Sequence, residues 1–180
     1  MSDFAQLVQM LTALTQPDTN TIRQAEAALK PVLKNPAAMM TLWQVIADIS
    51  QPIAVRHVGA IILRKRLTPH YSSFDPATKL EWQKNVLNTL ATEQQRPVRS
   101  GLVGVAASLA AVEQTATEPF LQFLTAAANE TQNTAARELC FLLLLEMTDT
   151  IGLHWKEHIP SLLQFFTHVL NNPQEQTVVH

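Results

Sequence analysis

The sequence predicts an all-α protein, an α-solenoid of antiparallel helix pairs, and three observations predict it. Of 180 residues only 4 are Gly and 1 is Tyr, a poor supply for the turns and strands of a β-sandwich or a glycine-looped nucleotide fold. The 10 prolines divide the chain into helix-sized segments. Within those segments apolar residues recur at i, i+3, i+4 and i+7, the spacing that puts them on one face of a helix.

Taken in order, the first segment carries Phe4, Leu7, Val8, Leu11 and Leu14 on one face and is closed by Pro17. Asp18 and Thr19 can cap a second helix with Ile22, Ala25, Leu29 and Leu33 inward, which Pro31 should kink or shorten. Pro36 opens a third through Leu42, Trp43, Ile46 and Ile49, and Pro52 a fourth through Ala54, Val58, Ile61, Ile62 and Leu67, followed by a loop over 68–74. Asp75 and Pro76 begin a fifth that runs to about Thr92, with Leu80, Val86, Leu87 and Leu90 as its core. Pro97 starts a sixth, lined by Val98, Leu102, Val105, Ala106, Leu109 and Val112, in which Gly101 and Gly104 permit close packing. Segments 119–128, 133–149 and 155–170 complete nine helices.

Short linkers make successive helices antiparallel neighbours. Second helices starting near 18, 52, 97 and 133 are 34, 45 and 36 residues apart, the spacing of helical-hairpin repeats of the HEAT or armadillo type, although an irregular bundle could show the same rhythm. The repeats are expected at about 3–35, 36–68, 75–113 and 118–150, with the first helix of a fifth at 154–172. That last helix carries Trp155, Ile159, Leu162, Leu163, Phe166, Val169 and Leu170 with little chain after it, so this end reads as a cut inside a longer solenoid; the alternative is that the stripe packs wholly on the preceding pair.

Templates for chemistry mostly fail. No phosphate-cradling loop, dinucleotide turn or nucleophile elbow is present. His154-Trp155-Lys156-Glu157-His158 matches H-x-x-E-H, which on a helix would set two imidazoles on one face, but a third ligand could come only from His168, Glu175 or His180. A helix start with solvated His and Glu is the expectation, with no metal site. Cys140, the single cysteine, excludes an internal disulfide and sits among Leu139, Phe141 and Leu142, where a buried inert thiol is expected. The start of the chain lacks a secretion signal and the longest apolar run, 139–145, is far too short to span a bilayer, so the chain reads as soluble and intracellular. It does not read as an enzyme.

The net charge of −2 conceals an asymmetry. Eight basic residues face three acids over 53–100, a balance of +5, whereas from Gly101 onward two face eight, a balance of −6. Arg64-Lys65-Arg66 is the densest basic cluster. It is read either as a solvated helix end or as a contact to an acidic protein; nucleic acid is disfavoured by the acidic second half and the shortage of aromatics.

The run Ile22-Arg23-Gln24-Ala25-Glu26-Ala27-Ala28-Leu29, then Pro36, then 53–65 (IAVRHVGAIILRK), resembles the importin-β N-terminal domain of the karyopherins. Asn85 to Glu93, followed by Arg96-Pro97 and the small-residue helix 100–111, looks like the third repeat of that domain, and the domain-like region extends over about 22–94. The resemblance implies a HEAT-repeat α-solenoid forming a right-handed superhelix and a nuclear transport receptor that shuttles between cytoplasm and nucleus through the nuclear pore. It implies Ran-GTP, protein cargo such as histones or ribosomal proteins, and FG nucleoporins as partners, with no cofactor, no metal and no membrane. It also implies that the second helices contact Ran, which by position nominates Arg64, Lys65 and Arg66, with Ser100, Gly104 and Ser108 on the next inner helix. Glu26 and Arg56 read as helix-pairing polar residues. One departure is Glu118-Pro119, where relatives commonly carry Trp-Pro. A HEAT-repeat scaffold for another complex is the alternative function.

Overall fold

The computed structural model describes residues 3–113, 117–129 and 134–170. Among them are ten α-helices, one 3-10 turn and no strand: α1 (Asp3–Leu14), α2 (Thr19–Val32), α3 (Ala37–Ala47), α4 (Ile53–Tyr71), α5 (Pro76–Thr92), α6 (Arg96–Glu113), α7 (Glu118–Asn129), α8 (Thr134–Glu146), α9 (Thr148–His154) and α10 (Ile159–Leu170).

Local chemistry sets most of these boundaries. The Asp18 carboxylate accepts the Thr21 N–H and hydroxyl at the start of α2, and the Asp75 carboxylate accepts the Ala77 and Thr78 N–H groups at the start of α5. These hydrogen bonds to the ionised form hold both carboxyls below their ordinary range. Pro76, Pro97 and Pro119 lie in first turns, where a missing N–H costs nothing. Pro31 leaves α2 one further residue, and Leu33 still packs inward as its C-cap.

Consecutive helices pair as α1/α2, α3/α4, α5/α6 and α7/α8, and the pairs stack through α4 on α6 and α6 on α8 in one layer and through α1 on α3 and α5 on α7 in the other. The result is an all-α, HEAT-like helical solenoid. Its buried side chains form one continuous cluster from Leu7 and Leu11 to Met147 and Trp155, each fully buried leucine contributing on the order of 2 kcal/mol. Edge-to-face rings join neighbouring pairs: Trp43 meets Trp82 at 6.0 Å, and Phe120 meets Trp155 at 6.4 Å.

Five expectations need correction. α4 continues to Tyr71, so the loop expected from residue 68 begins at Ser72; Leu67 and Tyr71 are buried and anchor the last turn through Pro69. The inward face of α4 is Val55, Arg56, Gly59, Ala60, Leu63, Leu67 and Tyr71, about one residue out of phase with the predicted face, and Ile61 is exposed. Ile49 falls beyond α3, after Asp48 turns extended, and is 86% exposed. In α5 the indole of Trp82, with Val86, Leu87 and Leu90, makes the core, whereas Leu80 is 41% exposed. The helices expected at 133–149 and 155–170 are broken differently: Met147 leaves helical geometry after α8, α9 intervenes, and Lys156–His158 form a 3-10 turn before α10. Asn133 lies outside the described residues.

The stripe of the last helix is partly covered. Phe141 of α8 stacks on Phe165 and Phe166 at 5.4 and 5.7 Å, while Leu163 stays exposed. The side chains of Val169 and Leu170 lie outside the described residues.

Candidate functional site

The basic cluster belongs to the last two turns of α4. Arg64, Lys65 and Arg66 are all exposed, because the buried positions around them are taken by Leu63 and Leu67. Successive residues of an α-helix project about 100° apart, so the three cations fan out around α4 and do not form one patch. Of the three, Arg64 is brought against α6. A methyl group at Gly104 of α6 would lie 2.8 Å from its Nη1 and 3.0 Å from its Cδ, so the guanidinium crosses α6 where α6 has no side chain. Its Nη2 then donates to the Glu146 carboxylate at the end of α8, at 3.4 Å.

Ser100, Gly104 and Ser108 fall at i, i+4 and i+8 on α6 and form one stripe beside Arg64. Ser100 is exposed, Gly104 buried, and Ser108 half-buried with its hydroxyl donating to the Gly104 carbonyl at 2.8 Å. The Ser108 hydroxyl is thus already engaged within its own helix. Lys65 and Arg66 make no ion pair among the described residues. Glu146 completes the arrangement and escaped the sequence reading, since it lies 82 residues from Arg64. A second cross-helix pair joins Arg99 of α6 to Glu138 of α8 at 3.6 Å.

The chemistry of the remaining candidates is structural. Arg56, 2% exposed, donates through Nε to the Ile46 carbonyl at 2.7 Å and through Nη2 to Glu93, whose other oxygen accepts the Gln95 N–H at 2.8 Å. It therefore fills the pairing role expected of it, whereas Glu26 is exposed. His154 ends α9 and His158 closes the 3-10 turn, with Trp155 between them at φ −110° and ψ 29°, so H-x-x-E-H does not share one helical face. Among the described residues no group of three or more His, Cys, Asp or Glu could hold a metal ion; Glu175, His180 and the side chain of His168 lie outside them. Nor is any described helix long and apolar enough to cross a membrane.

Burial pushes the Cys140 thiol up to about 12, and its Sγ faces the Leu124 carbonyl at 4.0 Å. At neutral pH it is a protonated core side chain and not a nucleophile. A disulfide reagent at pH 8 should accordingly modify the folded chain at least tenfold more slowly than the urea-unfolded chain; equal rates would refute its burial.

With this geometry in place, comparison with known proteins is informative. The importin-beta N-terminal domain matches residues 25–102, which span α2 to the first half of α6. Importin-4 of Mus musculus is 26% identical over 168 residues, 93% of this chain and 15% of the relative. A probable importin subunit beta-4 of Schizosaccharomyces pombe is 28% identical over 151 residues, 82% and 14% of the two chains, and importin-4 of Homo sapiens is 30% identical over 105 residues, 58% and 10%. Residues 25–102 are thus similar to the importin-beta N-terminal domain. The chain spans about a seventh of the length of the first two relatives. The matched region includes Arg64, Lys65, Arg66 and Ser100, while Gly104 and Ser108 lie just past its end.

Proposed function

We propose that this chain acts as the N-terminal, Ran-GTP-binding region of a nuclear transport receptor, in which Ran-GTP occupies the inner helices and thereby releases protein cargo. The observation that carries the reading is the exposed cationic end of α4, inside the matched importin-β N-terminal domain. Arg64, Lys65 and Arg66 present positive charge from the inner layer within the +5 segment, suited to steering an acidic protein surface onto α4 and α6. Ser100 is exposed and adds only a small group there, so a partner's backbone can approach the start of α6 closely, whereas Gly104 is covered by the Arg64 side chain. No bond is made or broken by the chain. In this reading the receptor shuttles between cytoplasm and nucleus, FG nucleoporins are its pore contacts, and each successive helix pair is one HEAT repeat of a flexible solenoid.

The test is titration with Ran locked in its GTP and GDP forms. The GTP form should bind at least tenfold more tightly. The double substitution Arg64→Glu and Lys65→Glu should weaken that binding by about tenfold or more at 0.1 M salt, with the helical circular dichroism unchanged. Equal affinity for the two nucleotide states would instead mark a general HEAT-repeat scaffold.

A further inference from the structure

Three helices meet in one contact that the proposed binding role does not by itself require. The Arg64 side chain leaves α4, passes over Gly104 of α6 and reaches Glu146 on α8. Any side chain at position 104 would stand in its path. Glu146 is the last residue of α8, where the helix's own carbonyls present partial negative charge and disfavour a carboxylate. The charge therefore does nothing for α8 itself, and its favourable interaction is with Arg64. Both side chains are about half exposed, at 50% and 43%, so a solvent-borne group can reach them, and exposed pairs of this kind hold by a factor of about 5 at most. At the opposite end of the same helices Arg99, only 15% exposed, pairs with Glu138.

We propose that the Arg64–Glu146 pair is a strap across α6 in which Glu146 occupies the place of a partner's carboxylate, and that an acidic protein surface binds by displacing it. The inference builds on the reading of α4 as a binding surface and adds its internal competitor. Glu146 keeps the guanidinium extended over the Gly104 gap, so Arg64 is ordered before the partner arrives. Lys65 and Arg66 remain available to attract the partner. Exchange of one carboxylate for another conserves the charge pairing of Arg64 but removes the ion pair between α4 and the end of α8, so occupation of the second pair weakens its polar tie to the fourth while the buried Leu143, Leu144 and Met147 keep α8 in place. Binding and the setting of one helix pair against the next are in this way coupled through a single guanidinium.

The experiment compares the 180-residue chain with Glu146→Gln, Arg64→Ala and their combination, using two probes, Ran-GTP and a polyglutamate peptide, at one ionic strength. Glu157→Gln, which removes an exposed acid that takes no part in the strap, controls for net charge. Glu146→Gln should bind both probes about 2- to 5-fold more tightly than the parent chain, the gain should vanish in the Arg64→Ala background, and Glu157→Gln should bind as the parent does. Thermal unfolding establishes that each variant is folded. The strap is overturned if Glu146→Gln gains nothing toward polyglutamate, if the gain survives without Arg64, if Glu157→Gln gains equally, or if neither probe binds any variant. Failure of Ran-GTP to bind while the polyglutamate gain is present would overturn the proposed function and leave the strap standing.

Discussion

Arg56→Ala is expected to lower the unfolding free energy of the chain by about 3–5 kcal/mol, the cost of leaving one partner of a buried ion pair alone. The Arg56 and Glu93 side chains are 3% and 4% exposed, so neither charge can be rescued by water without opening the core. The loss is larger than that of one pair because Arg56 does three jobs. Its Nε caps the Ile46 carbonyl near the C-terminal end of α3, where the helix has no N–H of its own to offer. Its Nη2 neutralises Glu93, the C-cap of α5. Through Glu93, which also accepts the Gln95 N–H, it fixes the turn from which α6 departs. For a chain of this length about 4 kcal/mol corresponds to a fall of roughly 10 °C in the unfolding midpoint. Arg56→Met combined with Glu93→Leu removes both charges and should recover much of the loss. If Arg56→Ala unfolds within 1 kcal/mol of the parent in urea, the pair is not the tie between the second and third helix pairs that its geometry implies.

Arg56 also explains where the sequence could and could not be read. Helix positions were legible because proline, aspartate and apolar rhythm act locally: Asp75 followed by Pro76 specifies the start of α5 whatever lies elsewhere in the fold. The phase of α4 was misread because hydropathy weighs large apolar residues, and the buried face of α4 is built partly from Arg56, Gly59 and Ala60. A buried arginine looks like a surface residue until its partner, 37 positions away, is known. Gly59 and Ala60 have little apolar area to register. Ile61, by contrast, scores strongly and is 39% exposed.

The candidate surface divides in the same way. That Arg64, Lys65 and Arg66 end an exposed helix was readable, since three consecutive cations cannot all be buried. That Arg64 reaches α6 was not, because it depends on the register between α4 and α6. Glu146 carried only a faint local signal, an acid at the end of a helix where the dipole opposes it. The break of H-x-x-E-H was likewise hidden. Trp155, buried against Phe120, leaves helical geometry between the two histidines, and its ring has its partner 35 residues upstream.

The two glycines of α6 should separate stability from binding. A methyl group at Gly101 would stand 2.7 Å from the Ala60 Cβ, an atom fixed to the α4 backbone, with the His57 ring at 3.6 Å behind it. Nothing there can rotate away, so α4 and α6 must part, and these two helices make the most extensive interhelical packing among the described residues. Overpacking of this kind costs about 1–3 kcal/mol and sometimes more, against a gain of at most about 1 kcal/mol from replacing a helical glycine by alanine. Gly101→Ala should therefore be destabilised by about 1–2 kcal/mol, and Gly101→Leu by about 3 kcal/mol or more. At Gly104 the obstructing atoms are the tip of the exposed Arg64 side chain, which can swing into solvent. Gly104→Ala should keep its stability or gain up to about 1 kcal/mol, while the reach of Arg64 to Glu146 is lost. Urea unfolding of the three variants decides the matter, since an order in which Gly101→Ala is as stable as Gly104→Ala would mean that α4 and α6 are not held at glycine distance by the Ala60 contact. Three residues apart on one helix, one glycine sets how closely two helix pairs stack, and the other keeps clear the path of the basic side chain that reaches from α4 across α6 to α8.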